Sequence, residues 1–481
     1  MIDFVNLDAF LNARSPYGYN HSMRRTAARS AFIFVLLLLA VSMPIVWSGY
    51  SQIRQAEAAA TYADKASRYA KSARLLPWRA DLYELAGRAY YHAEEYAFAD
   101  AMYFAASNKS ALSAEGWTEW GDVNYLNGDT ARAREIWSQA LAAGQISNEL
   151  YSRMAGAALL QEEFDSAARY LQMQAVQRPQ DAPTHYRLGL LLALTDPEHA
   201  TSELLAASNL DPQFVLPVQT LHSVLSKAAS ADSPSQKFVV IGAGLGSVNE
   251  WSLARAAFQS AIRADEANAE AWAWLGEANQ RTGRAGDVEL NRALELNPNS
   301  SIVRSLRGMY FQRIGDQRRA TSEFESSAQL APDDPARFIS LGNAYALSGD
   351  LIRALDAFEY AVALAPESAD YWRALAEFCG WQGIRLDDMG VPAAQRAVVI
   401  VRDADTLDTL GWLLYLAGRY PESKQALLDA LKIDPLNASV RFHLGLTYLQ
   451  IGDRPRAFES LIHARDLGSP DADAVLRQRL P

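Results

Sequence analysis

The sequence predicts an all-α protein, a solenoid of about eleven helix-turn-helix units preceded by one membrane-spanning helix. Three observations predict it: an uncharged apolar run near the N-terminus, small residues that recur mostly every 34 positions, and helix-stop signals at fixed offsets between them.

The apolar run comes first. From Ala31 to Tyr50 the chain reads AFIFVLLLLAVSMPIVWSGY, without a charge and close to the roughly 20 residues a helix needs to cross the hydrocarbon core. Trp47 and Tyr50 close it, where amphipathic rings favour the interface. A cleaved signal peptide is the competing reading, because Arg24, Arg25 and Arg29 precede the run. The long lead before the run and the lack of a nearby small-x-small cleavage site favour an uncleaved anchor. Arg14, Arg24, Arg25 and Arg29 before the helix slightly outnumber Arg54, Lys65 and Arg68 after it. That excess places residues 1–30 in the cytoplasm and the repeats outside it.

The lead Met1–Ser30 carries four Arg and two Asp, so in a chain at −11 the remainder stands at −13. An acidic body with no basic stripe argues against nucleic acid as a partner, since phosphate neutralisation needs concentrated Lys and Arg. The one cysteine, Cys379, permits no intrachain disulfide. Scattered His without an HExxH pattern predict no metal site, and no cofactor is expected.

The repeat follows from aligning the chain on small residues: Gly87, Gly121, Ala155, Gly189, Gly242, Gly276, Gly308, Gly342, Ala376, Gly411 and Gly445. The steps are 34, 34, 34, 53, 34, 32, 34, 34, 35 and 34. Taking Gly342 as origin, Leu341 precedes it and Tyr345, Ala354, Phe358, Ala361 and Pro366 follow; the same offsets from Gly308 give Phe311, Ala320, Phe324, Ser327 and Pro332. A small residue on one helix lets the next approach closely, while the aromatic fills the seam between them. Turns are written as Gly128-Asp129, Gly283-Arg284, Gly315-Asp316, Gly349-Asp350, Gly418-Arg419 and Gly452-Asp453, with Gly supplying a left-handed helix end. Pro179, Pro212, Pro298, Pro332, Pro366 and Pro435 stop the second helices.

Stretches such as LGNAYALSGDLIRALDAFEYAVALAP resemble the tetratricopeptide-repeat (TPR) pattern W-x2-L-G-x2-Y, A-x3-F, then A and P, over about four fifths of the chain. The resemblance implies a right-handed α-solenoid. Its organisation is a lead at 1–30, a transmembrane helix at 31–50, a connecting or capping helix within 51–79, four units over 80–212, an inserted helix and linker at 213–234, seven units over 235–471 and a capping segment at 472–481. The unit at Ala376 carries the loop GIRLDDMGVP in place of a short turn, and that at Gly276 lacks two residues.

Three local patterns invite a chemical reading and are outweighed. VVIGAGLG, with Gly242, Gly244 and Gly246, mimics a dinucleotide fingerprint, yet Ala254, Phe258 and Ala261 follow at repeat offsets. Asp333-Asp334 and Asp387-Asp388 read as helix caps or solvated charges. Cys379 falls at a core position, and no Ser, His and Asp set is placed by any spacing.

The family resemblance implies that first helices line a concave face, with inward positions six and three before the small residue and one and four after it. Carried over unit by unit, these are Asp81, Glu84, Arg88 and Tyr91; Glu115, Thr118, Asp122 and Tyr125; Glu270, Glu277 and Gln280; Asn343; Asp370, Arg373 and Glu377; and Asp405, Asp408, Trp412 and Tyr415. The expected occupant is a protein: a peptide segment or folded subunit, basic or aromatic-bearing, or a second copy of the chain. The lipid bilayer is expected around residues 31–50. The resemblance thus implies a membrane-anchored scaffold for complex assembly, not an enzyme. The alternative is a cell-envelope or polysaccharide-biogenesis accessory that binds glycan or a glycan-handling enzyme.

Overall fold

The computed structural model describes residues 21–109 and 112–479, and among them every regular element is helical. Arg14 lies outside these residues, as do the side chains of Arg24, Arg25 and Arg29 and the end of the expected C-terminal cap. The described residues part into two compact units between Val215 and Leu216.

The first unit opens with α1 (His21–Glu57) and α2 (Tyr62–Leu75). Four helix pairs follow: α3 (Asp81–His92) with α4 (Tyr96–Ser107), α5 (Ala114–Leu126) with α6 (Thr130–Ala142), α7 (Leu150–Leu160) with α8 (Phe164–Gln177), and α9 (Ala182–Leu192) with α10 (Pro197–Leu210). A short 3-10 turn, Pro212–Phe214, opens the inserted segment at the end of this unit, and the inserted helix α11 (Val215–Ala229) belongs from Leu216 on to the second unit. Phe214 stacks on Tyr186 with ring centroids 4.7 Å apart.

The second unit holds seven pairs: α12 (Pro234–Ser247) with α13 (Trp251–Ala264), α14 (Ala269–Arg281) with α15 (Asp287–Leu296), α16 (Ser301–Arg313) with α17 (Gln317–Leu330), α18 (Pro335–Leu347) with α19 (Leu351–Leu364), α20 (Ala369–Gln382) with α21 (Val391–Ile400), α22 (Ala404–Leu416) with α23 (Tyr420–Ile433), and α24 (Ala438–Ile451) with α25 (Arg454–Asp466); α26 (Pro470–Arg479) follows.

One seam repeats within the pairs. The small residue of the first helix faces a large side chain sixteen positions on: Tyr103 for Gly87, Trp137 for Gly121, Phe258 for Gly242, Phe324 for Gly308, Phe358 for Gly342, Leu427 for Gly411 and Leu461 for Gly445. These large side chains are buried. A Cβ on Gly342 would sit 2.9 Å from the Phe358 ring, inside contact distance, so the helices can come this close only over glycine. The offset shortens where the chain is shorter: Leu204 faces Gly189, and Leu290 faces Gly276. In the latter pair the two missing residues cut α15 to 10 residues, and Gly286 closes directly on the Gly276 backbone.

Turn chemistry sets the angle within a pair. Gly128, Gly283, Gly315, Gly349, Gly418 and Gly452 all have positive φ. Asp129, Asp316, Asp350 and Asp453 then cap the second helix, each accepting from the backbone N–H three residues on, a cap worth about 1 kcal/mol. Where the sequence lacks the glycine, Glu94, Glu162 and Asn249 adopt the left-handed conformation instead.

VVIGAGLG lies inside helix α12, with no strand before it. Its three glycines admit three neighbours, Phe258 on Gly242, Val224 on Gly244 and Trp251 on Gly246. Packing, not phosphate binding, accounts for them. Cys379 is fully buried in the core around Phe358, Phe378 and Leu413. Asp334 caps α18 through the Ala336 N–H, whereas Asp388 pairs with Arg385 at 3.0 Å. The long loop after α20 is a single π-helical turn, Leu386–Gly390.

Helix α1 runs beyond the apolar run. It contains the stretch Ser30–Glu57, long and apolar enough to cross a membrane, with mean hydropathy 2.4 and none of its most apolar window buried. Its last turns, from Gly49 on, pack against α2: Ser72 Oγ donates to the Gly49 carbonyl at 2.9 Å, and Leu76 covers Gly49 so closely that a Cβ there would collide with it. The expected connecting helix is therefore the second half of a hairpin whose first half is the end of α1.

Candidate functional site

The family-implied inward positions all lie on first helices, and many of them join one repeat to the next. In the first unit Glu84 accepts from the Ser113 N–H at 2.8 Å and from Ser113 Oγ at 2.5 Å. Arg88 Nε reaches the Glu119 carboxylate at 2.9 and 3.0 Å. Thr118 and Ser147 share a hydrogen bond of 2.8 Å. Asp122, 9% exposed, accepts from Arg153 Nε at 3.0 and 3.1 Å. Burial pushes the Asp122 carboxyl above its ordinary value, with Arg153 opposing that rise.

The second unit continues the habit. Glu277, 1% exposed, is held by Arg281 on its own helix at 2.9 Å and by Arg313 from the next repeat at 2.7 Å; Gln280 also accepts from Arg313. Glu377 contacts Thr409 at 3.5 Å and Arg373 at 3.9 Å. Desolvation raises the Glu377 and Glu270 carboxyls above their usual range.

Several of the partners share a position that the sequence reading did not include, two residues before the small residue, whereas Ser113, Ser147 and Arg313 stand elsewhere. Glu119, Arg153, Thr409 and His443 all stand there. A side chain one after the small residue (Arg88, Asp122, Glu377) meets the one two before it in the following repeat. The signal was available in the 34-residue register as complementary charge between successive units, Arg88 to Glu119 and Asp122 to Arg153.

Asp408, Trp412 and Tyr415 on α22 come together with His443 on α24. His443 Nδ1 lies 2.8 Å from Asp408, and Ser439 Oγ donates to the other Asp408 oxygen at 2.7 Å. The Trp412 ring stacks between Tyr415, 5.0 Å and 11° away, and His443, 4.5 Å and 19° away. Gln450 donates to the Tyr415 hydroxyl at 3.4 Å. This three-ring stack is partly exposed, with exposed Asp405 on the same helix.

The other implied positions stand apart. Asp81 pairs with Arg79 at 2.7 Å, which holds its carboxyl below the ordinary value. Tyr91 packs on Tyr96, and Tyr125 rests 6.2 Å from the Trp137 ring. Glu115 and Asn343 are exposed, and Asp370 reaches Arg373 at 3.6 Å. Among the described residues no group of three or more His, Cys, Asp or Glu is placed to hold a metal ion.

Paired helices joined by left-handed turns over a glycine seam define an all-α repeat solenoid. The tetratricopeptide-repeat profile matches residues 245–301 and 409–472, and the chain carries TPR repeats. Among curated proteins it is similar to anaphase-promoting complex subunit 3 of Schizosaccharomyces pombe, 28% identical over 25% of this chain and 18% of that protein. It is also similar to tetratricopeptide repeat protein 37 of Xenopus laevis, 27% identical over 40% and 13%, and to the peroxisomal targeting signal receptor of Candida albicans, 23% identical over 44% and 37%. The chain thus spans well under half the length of each. Among solved structures it is similar to yeast Tom70, 14% identical over 91% of this chain and 94% of that one with TM-score 0.40, and to the Cut9-Hcn1 tetramer, 12% identical over 93% and 98% with TM-score 0.39.

Proposed function

We propose that this chain is a membrane-anchored TPR scaffold that holds a protein partner, with α1 crossing the bilayer and the repeats on its extracytoplasmic side. The observation that carries the reading is the partly exposed Trp412 stack flanked by Asp405, Asp408 and Glu377. Aromatic anchors beside carboxylates suit a segment that presents basic and aromatic side chains. One curated relative is named as a subunit of a complex and another as a receptor for a targeting signal, both in keeping with a scaffold. The anchor rests on the length of Ser30–Glu57 and the exposure of its most apolar window.

Two kinds of residue divide the face. Glu84, Arg88, Asp122, Glu277 and Gln280 are engaged between repeats, and hold successive first helices in register. In the first unit Glu115 and Tyr125, and in the second Asn343, Asp370, Asp405 and the Trp412 stack, each offer surface to a partner.

The test is purification of the full chain from its native membrane in mild detergent, beside a Trp412→Ala, Asp405→Ala variant, with mass spectrometry of what is retained. A partner held by the parent and lost by the variant supports the reading. Retention of the same proteins by both places binding elsewhere, and glycan capture without a protein partner would replace it with the glycan reading.

A further inference from the structure

We propose that the hairpin of α1 and α2 forms a second membrane contact, in which Trp78 and the basic end of α2 rest in the headgroup layer of an anionic bilayer. The proposal rests on the reading that α1 spans the membrane, and it concerns a part of the first unit that the spanning helix alone does not explain.

Depth is set by contacts already described. Ser72 and Leu76 are fixed against Gly49, and the Arg79 side chain lies beside Tyr50. Residues 72–79 are therefore held level with residues 49–50, the aromatic end of the apolar run. Trp47 and Trp78 are 75% and 60% exposed, a large cost in water for two indoles in a folded protein and a favourable placement at a membrane interface.

Charge points the same way. Residues 51–79 carry Arg54, Lys65, Arg68, Lys71, Arg74 and Arg79 against Glu57 and Asp64, a net of +4 in a chain at −11. On α2, Arg68 turns toward α1, donating to Gln55 and pairing with Asp64, while Lys71 and Arg74 are exposed, away from the buried Ala66, Tyr69, Ala70 and Ala73. Helix α2 runs back along the end of α1, so Lys71 and Arg74 are the cations of α2 nearest the apolar run; Arg79, beyond its end, pairs with Asp81. Helix α3 then leaves and α4 returns, bringing Lys109 over the Tyr83 ring at 5.5 Å. Basic residues at this level attract anionic headgroups.

The test uses the full chain carrying Cys379→Ala and one added cysteine, labelled with an environment-sensitive fluorophore and reconstituted in phosphatidylcholine vesicles containing phosphatidylglycerol. Label sites are Leu38→Cys in the apolar run, Trp78→Cys, and Tyr62→Cys at the far end of α2, about 20 Å from Leu75 by helical rise. Nitroxide lipids quench at a shallow or a deep acyl position. The expected result is deep quenching at position 38, shallow quenching at position 78 and roughly twofold less at position 62. Deep quenching at position 38 with position 78 no more quenched than position 62 overturns the proposal and leaves the spanning helix standing. No quenching at position 38 overturns both.

Discussion

The guanidinium of Arg153 closes on Asp122 from the neighbouring repeat, its Nε 3.0 and 3.1 Å from the two carboxylate oxygens. Asp122 is 9% exposed, so removing the arginine leaves a carboxylate without its cation in a place water barely reaches. Arg153→Ala is expected to destabilise the first unit by about 2 kcal/mol. The double variant Asp122→Asn, Arg153→Gln is expected to recover part of that loss. Urea unfolding followed by tryptophan fluorescence measures both, and equal losses in the single and double variants would count against the pair.

The seam predicts where small changes are expensive. A methyl group on Gly121 would run into the Trp137 indole, whose Nε1 donates to the Thr118 carbonyl at 3.1 Å. Gly121→Ala is expected to cost about 1–3 kcal/mol by overpacking, read as a lower urea midpoint at unchanged slope.

A change in the opposite direction is expected at Glu94, which is exposed and sits at φ 60 between α3 and α4. Nine glycines among the described residues take this conformation. Glu94→Gly is expected to stabilise the fold by about 1 kcal/mol, the cost of holding a side chain left-handed. A lower melting temperature would refute it.

Burial raises the Glu377 carboxyl, with Asp405 and Asp408 adding to the rise and Arg373 opposing it. The folded chain therefore binds this proton more tightly than the unfolded chain. Stability contributed by the group is lowest above the raised value and grows as the pH falls through it toward the ordinary carboxylate range. Glu377→Gln is expected to melt higher than the parent at neutral pH, the gap closing on acidification. A gap constant with pH would show that titration of Glu377 is not its source.

Cys379 is fully buried, and desolvation pushes its thiol up to about 11. The thiolate is the reactive form, so the native chain at neutral pH is expected to resist iodoacetamide over the time in which the urea-unfolded chain is fully modified. Alkylation at equal rates in both states would mean that α20 opens readily.

The helix pairs were legible because one constraint repeats: a small residue must recur wherever two helices meet, and the 34-residue register records it. Gly242, Gly244 and Gly246 were separable from a phosphate loop by the same register, since Phe258 arrives sixteen residues on. The continuation of α1 was hidden because Gln52–Glu57 is polar and reads as a connector; its structure comes from Gly49 meeting Leu76, a contact across 27 positions that no local pattern announces. The row two before the small residue escaped for a different reason. Period alone places side chains on a helix, but which row meets the next repeat depends on the crossing of two first helices. Only the complementary charges of Arg88 with Glu119 and Asp122 with Arg153 recorded it in the sequence.

Helix α1 is one 37-residue element, about 55 Å long at the rise of an α-helix, and its final turns are already one wall of the first seam. Most anchored domains hang from slack chain, whose length fixes how far they can search. A bilayer-crossing α1 offers no slack. On the proposed reading that α1 crosses the bilayer, the tilt that lipid imposes on an apolar rod would pass to the first compact unit, so bilayer thickness would act on its orientation.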